Sequence, residues 1–196
     1  SGDSSGICIG HIDRWVEVLR RGTDGEKYTD LAPHYIIDFM LRINPPIGEQ
    51  IYMPDLRAIF YQFVEKGYSF RGFSCDQFQS AETLQQVKRQ GITTKLISMD
   101  ETTEPYEELK SAFYEHRIEI YDYKPFIEEM TKLEYDRLNG KIDHPVAGSK
   151  DVSDAVAGVI WGLKTSSLKT PMEGVKGANS MKDNEYNWVS PLIPAE

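Results

Sequence analysis

Cysteine is scarce. Cys8 and Cys75 are the only two in 196 residues, which excludes a disulfide scaffold and a four-cysteine zinc site. Both sit in apolar, strand-like runs, so buried thiols in a reducing cytosol are expected. Long hydrophobic runs are lacking too. The longest nearly apolar stretch, 155–163, is far too short to span a bilayer. No basic-then-apolar leader opens the chain, so no secretory signal is expected. Basic charge is in deficit, with 22 Lys and Arg against 31 Asp and Glu, a formal charge of −9. That balance argues against a nucleic-acid binder, although net charge does not say where charges sit. The four histidines, His11, His34, His116 and His144, have no metal-ligand spacing. No Gly-x-Ser-x-Gly elbow occurs, and Ser74, Cys75 and Ser153 lack a placed histidine partner. No Gly-x4-Gly-Lys-Ser/Thr phosphate loop occurs either, and Ala147-Gly-Ser-Lys150 is not one.

What is present suffices for one folded domain. A 40% apolar content supports a core, and about 100–200 residues make one unit. The first half reads as strands at 6–12, 15–19 and 35–43, with a tight turn at 11–14. Pro45-Pro46 stops the third strand, and an antiparallel meander follows from the short loops. The period then changes. Leu56, Ile59, Phe60, Phe63 and Val64 recur at helical spacing in 55–66. Strands at 69–75, 92–99 and 118–121 alternate with helices at 80–91, 102–117 and 125–130, the pattern of βα units on a parallel sheet. A hairpin is expected at 132–144 around Asn139-Gly140. A last helix covers 151–163. Residues 166–196 read as an extended or disordered tail after a domain of 1–165. The fold class is α/β. A mixed central sheet, antiparallel meander then parallel strands, is flanked by helices, with an added β-hairpin. This is also the ribonuclease H-like order of elements.

Carboxylates occur in three places that such a fold can bring together. Asp3 precedes the first strand. Asp76 ends the 69–75 strand, and open sheets place ligands at the C-terminal ends of parallel strands. Asp151 and Asp154 open the last helix three residues apart, hence as neighbours on one face. At about 100° per residue, Ala155, Gly158 and Gly162 share that face, while Val152, Val156, Val159 and Leu163 form an apolar face beside it. A helix this apolar is expected to be buried. Each acid also has an ordinary reading. An aspartate at a helix start caps N–H groups, Asp76 suits a turn, and Asp3 suits a loop. Phosphodiester hydrolysis needs such groups together, because two hard cations about 4 Å apart clamp the attacking and leaving oxygens and bind oxygen ligands. Acidity of that kind serves nucleic-acid chemistry. Lys150 adjoins the acidic pair and is placed to meet a DNA phosphate or to neutralise carboxylates. Lys95, Arg71, Lys88 and Arg89 read as solvated surface. His144 lies close enough in sequence to stand at the site's edge.

At these residues the chain resembles the large terminase subunit of tailed bacteriophages. The resemblance is carried by Phe73-Ser-Cys-Asp-Gln-Phe-Gln-Ser80 and His144-Pro-Val-Ala-Gly-Ser-Lys-Asp-Val-Ser-Asp-Ala-Val-Ala-Gly158. Leu41-Arg-Ile-Asn-Pro-Pro46 and Ser98-Met-Asp-Glu-Thr-Thr-Glu-Pro-Tyr106 fit the same pattern. It covers residues 1 to about 165, the C-terminal nuclease domain of that family, which is ribonuclease H-like. It implies a Mg²⁺- or Mn²⁺-dependent endonuclease, with two ions in a complete site, that cuts concatemeric double-stranded viral DNA during genome packaging. Metal-binding, catalytic carboxylates would map onto Asp76, Asp151 and Asp154, with Asp3 as an accessory acid and Asp151 closer to metal than Asp154. The implied partners are double-stranded DNA, an N-terminal ATPase domain, the small terminase subunit and the portal, in the host cytoplasm. The family's first strand carries an aspartate upstream of the position of Asp3 that these residues do not include, so weak or single metal binding is expected. Two other readings stand beside the nuclease: a module that holds DNA or docks to the portal without cutting, and a resolvase-like enzyme on branched DNA.

Overall fold

A computed structural model describes residues 4–76, 80–99, 101–136, 140–145, 148–167 and 187–192. Two long strands, β1 (Ser5–Arg21) and β2 (Lys27–Ile43), form an antiparallel hairpin with pairs from Ser5↔Ile43 to Arg21↔Lys27. The loop between them is closed by Gly22 N–H donating to Glu26 O at 2.8 Å, with Gly25 at φ 84°. The turn expected at 11–14 is absent. Register shifts between Ile9/Gly10 and Ile12/Arg14 keep β1 continuous. A bulge resets the period-2 alternation, which is the sequence mark that a turn would leave. The expected three-strand meander is therefore a two-strand hairpin.

The remaining elements follow in order: α1 (Met53–Glu65), β3 (Gly72–Cys75), α2 (Ser80–Lys88), β4 (Thr93–Leu96), α3 (Glu104–Tyr114), β5 (Ile118–Glu119) and α4 (Lys124–Met130). Then come β6 (Glu134–Asp136), β7 (Lys141–Asp143), α5 (Asp151–Ser167) and β8 (Asn187–Leu192). The chain is mixed α/β. Among the described residues, six strands form one sheet in the order β4-β3-β8-β1-β2-β5, and β6 with β7 forms the separate expected hairpin. β3 is parallel to β4 and β8, β2 is parallel to β5, and β1 is antiparallel to both of its neighbours.

The expected extended or disordered tail of 166–196 is described only at 166–167 and 187–192. α5 continues to Ser167, and β8 lies in the middle of the sheet between β1 and β3. The rest of that stretch, 168–186 and 193–196, lies outside the described residues. Ser, Pro and Asn disguise β8 locally, and only the tertiary pairing with β1 makes it a strand.

Alternation along β1 and β3 divides the core. Ile7, Ile9, Phe73 and Cys75 pack with Met53, Leu56 and Phe60 of α1 and with Val87 of α2. Cys8, Tyr35, Ile37 and Met40 pack on the other face with α3, α4 and α5. Both cysteines are buried thiols, and burial pushes both up from the ordinary thiol range. α5 is buried from Val152 to Ile160, as its apolar circumference requires. Its seat is made by glycines of the strand beneath it. A Cβ on Gly6 would stand 2.0 Å from Asp151 O, and one on Gly10 3.1 Å from Val159 Cγ1. At the β2 edge β5 supplies only two pairs, and tyrosines continue its work. The Tyr121 and Tyr123 hydroxyls accept the N–H groups of Met40 and Arg42 at 2.6 and 2.9 Å.

Candidate active site

Strand register decides which carboxylates share an end of the sheet. Gly10, Trp188 and Gly72 form one row across β1, β8 and β3, and Ile9, Val189 and Phe73 form the next. Continued in step, the rows bring Asp76 level with Leu192 and Gly6. Gly6 lies directly under the Asp151 backbone. Asp76 and the head of α5 therefore stand at the same end. Phe73 and Cys75 face α1, and Asp76 follows directly on the end of β3. β8 runs between β1 and β3, so two strand spacings, about 10 Å, separate β3 from β1.

The half-buried Asp151 faces the start of β1. Its Oδ2 accepts from the Ser4 hydroxyl and lies 2.6 Å from the Ser149 hydroxyl. Arg42 Nε of β2 donates to Ser4 Oγ at 3.2 Å. Asp154, 8% exposed, turns the other way. Its Oδ1 accepts from the Tyr106 hydroxyl of α3, and Lys150 Nζ stands 3.7 Å from its Oδ2. Burial, then the Asp154 charge, pushes the Tyr106 hydroxyl well above the ordinary phenol range, so it remains a donor at any working pH. Although three residues apart, the two aspartates serve different neighbours.

Sequence reasoning missed Glu129. It reaches the head of α5 from α4 and is 3% exposed. Its Oε2 accepts the Ser153 N–H at 2.8 Å, its Oε1 lies 3.1 Å from Ser149 Oγ, and Arg42 Nη1 stands 3.8 Å away. A helix start leaves N–H groups without intrahelical partners, and here a carboxylate from another helix takes one. Burial first, and the nearby Asp151 charge, hold the Glu129 carboxyl above the usual range, against the pull of the Ser153 N–H, Ser149 and Arg42. Ser149 has one hydroxyl proton to share between Asp151 and Glu129. No local signal marks this role, because Glu128-Glu129 reads as the polar face of a short helix. Ser4, Arg42 and Ser149 were also missed, being ordinary strand and loop residues until the fold assembles them.

Lys150 is committed to protein contacts. Besides facing Asp154, it donates to Ile142 O of β7 at 3.4 Å, so it ties the small hairpin to α5. His144 is folded onto its own turn. Its Nδ1 lies 2.7 Å from Pro145 O, and its Nε2 lies 3.9 Å from Asp143. Asp3 lies outside the described residues.

Oxygen donors alone, the chemistry of this set, suit a hard divalent cation. Among the described residues no three Asp, Glu, His or Cys side chains form a group that would hold one ion. None of the described helices is long and apolar enough to cross a membrane. Comparison with protein-family models, curated proteins and solved structures finds no match.

Proposed function

We propose that this chain is a ribonuclease H-like, metal-dependent DNA endonuclease of the phage large terminase kind. What supports the reading is that β3, which ends just before Asp76, runs parallel to β8, and that the end of β8 pairs with Gly6, beneath the first residue of α5. Asp76, Asp151, Asp154 and Asp3 would hold Mg²⁺ or Mn²⁺, which supplies charge neutralisation at a phosphate and an acidified water. The chain's own groups prepare that site. Ser4 and Ser149 orient Asp151, Tyr106 and Lys150 orient Asp154, and Glu129 fixes the helix that carries both. Such contacts read phosphates and carry no base information, so cleavage shows little sequence preference.

Supercoiled plasmid nicking with Mn²⁺ or Mg²⁺ is the test. Asp76→Ala and Asp151→Ala are expected to lower the rate by about a hundredfold or more, while retaining the circular dichroism of the parent chain. Equal nicking by parent and variants, or none by the parent with either metal, overturns the reading. One observation favours a second reading, a DNA- or portal-docking module of a packaging motor that does not cut. Asp151 and Asp154 already have hydroxyl and ammonium partners within the protein. Duplex binding without metal-dependent nicking supports that module.

A further inference from the structure

Charge is unevenly placed along this acidic chain. It has 31 acidic and 22 basic side chains, yet residues 66–71 and 88–93 hold Lys66, Arg71, Lys88 and Arg89 and no acid. All four cations are exposed. Arg57 of α1 pairs with Glu82, whereas Lys66, Lys88 and Arg89 enter none of the ion pairs among the described residues.

The sheet sets the two segments side by side. Each carries a connection from a helix to a parallel strand: α1 leads through 66–71 into β3, and α2 leads through 89–92 into β4. β3 and β4 are neighbours with Gly72 level with Thr93, and the Thr93 N–H donates to Arg71 O at 3.2 Å. The loops therefore enter the sheet one strand spacing apart, about 5 Å. Phe60 of α1 and Val87 of α2 pack in one core cluster, so both helices lie on the same face. Each helix stops at a glycine of positive φ, Gly67 at 91° and Gly91 at 82°, and a Cβ on either would meet nothing within 4 Å. The loops thus face open space. The half-exposed Tyr68 and the exposed Gln90 and Thr93 add hydroxyl and amide donors among the cations.

A helix C-terminus favours cations, and Lys66 and Lys88 complement those of α1 and α2. Two such ends carry only about −0.5 charge each, against the four unit charges of Lys66, Arg71, Lys88 and Arg89, so a surplus of about +3 remains. Cations beside hydroxyl and amide donors are the composition that contacts phosphodiesters. Duplex DNA presents about one negative charge per 1.7 Å of its axis, so such a patch meets several phosphates in any register.

We propose that the loops 66–71 and 88–93 form a DNA-anchoring surface, which holds the phosphate backbone of a duplex at the end of β3 opposite Asp76. The four residues of β3, about 13 Å, separate the two. The choice of partner rests on the nuclease reading above, whereas the surface rests on the pairing of β3 with β4. Three or four phosphate contacts give weak, sequence-independent binding, with log K falling against log salt at a slope of about −3.

Fluorescence anisotropy of the full chain with a labelled duplex, in EDTA and over a range of salt, is the test. Lys66→Gln, Lys88→Gln and Arg89→Gln combined are expected to weaken binding about tenfold or more at low salt and to flatten the slope by about 0.9 for each cation removed. Lys110→Gln, Lys124→Gln and Lys132→Gln combined change the net charge equally at exposed positions on and beside α3 and α4, and are expected to keep the parent's slope. Equal flattening by the two sets means that only net charge acts and overturns the surface. Polyglutamate that competes as well as DNA, charge for charge, assigns the loops to an acidic protein and overturns the duplex. Patch-dependent binding by a parent that does not nick supports the surface and overturns the nuclease. Nicking by a parent that binds no better than its patch variant overturns the surface alone.

Discussion

At the scale of single residues, the buried charges are organised by specific partners. Arg117 is 0% exposed and donates to Glu115, Glu108 and the Pro33 carbonyl at 2.6, 3.1 and 2.8 Å. Glu108 also accepts from Tyr35 and from Lys164. Replacing Arg117 with Met leaves Glu108 short of a cation and is expected to cost about 3–5 kcal/mol in denaturant unfolding. Unchanged stability would show that Lys164 alone neutralises the site. Burial pushes the Glu108 carboxyl up, but Lys164, Arg117 and the Tyr35 hydroxyl outweigh it and hold it below the ordinary range. Its folded value is thus lower than its unfolded one. The stability it confers is present above the ordinary carboxylate pKa and is lost as pH falls through the folded value. Melting temperature against pH, compared between the parent chain and Glu108→Gln, is expected to converge in acid and to separate above about pH 5. A constant gap would contradict this. Glu129 has the opposite sign. Its raised value makes its ionised form a cost that grows as pH rises through the folded value.

Among elements, α5 is the one on which the candidate site depends. Its first turn is held from below by Gly6 and from the side by Glu129. A methyl group at position 6 would meet the Asp151 carbonyl at 2.0 Å, and backbone does not yield as a flexible side chain does. Gly6→Ala is expected to destabilise by about 1–3 kcal/mol or more and to move the head of α5. Melting temperature reads the first effect. Amide exchange at residues 151–154 reads the second, and unaltered protection there would show that α5 is seated by other contacts.

The whole molecule is acidic, with a charge of −9. Affinity for duplex DNA comes mainly from phosphate neutralisation. In the described site, Lys150 and Arg42 are already engaged with Asp154 and Glu129. Fluorescence anisotropy with a DNA duplex is therefore expected to give a dissociation constant no tighter than about 10⁻⁶–10⁻⁴ M at physiological salt, with a shallow salt dependence. A much tighter complex would place a basic surface elsewhere on the molecule. The far end of the β1–β2 hairpin, from Arg14↔His34 to Arg21↔Lys27, extends past the last pairs that β8 and β5 make. It carries Trp15, Leu19 and Leu31 on its surface.

Much of this was legible locally. Apolar spacing predicted α1, a nearly continuous apolar circumference predicted a buried α5, and alternation between strand and helix patterns predicted the α/β class, because these signals lie within one element. Asp151 and Asp154 were likewise readable as a pair at a helix start. Three other features depend on contacts between elements distant in sequence. The bulges in β1 break alternation as a turn would, and only pairing with β2 distinguishes the two. Glu129 becomes a helix cap through the packing of α4 beside α5. Asn187–Leu192 becomes an interior strand because β1 and β3 leave edges to be paired. The sequence alone thus determined which segments prefer helix or strand and which residues carry charge. Tertiary structure alone decided that β3 and the head of α5 end on the same side of the sheet, that the two aspartates of α5 face different neighbours, and that β8 enters the middle of the sheet. Local preference depends on near neighbours along the chain, whereas register and burial are properties of the assembled sheet.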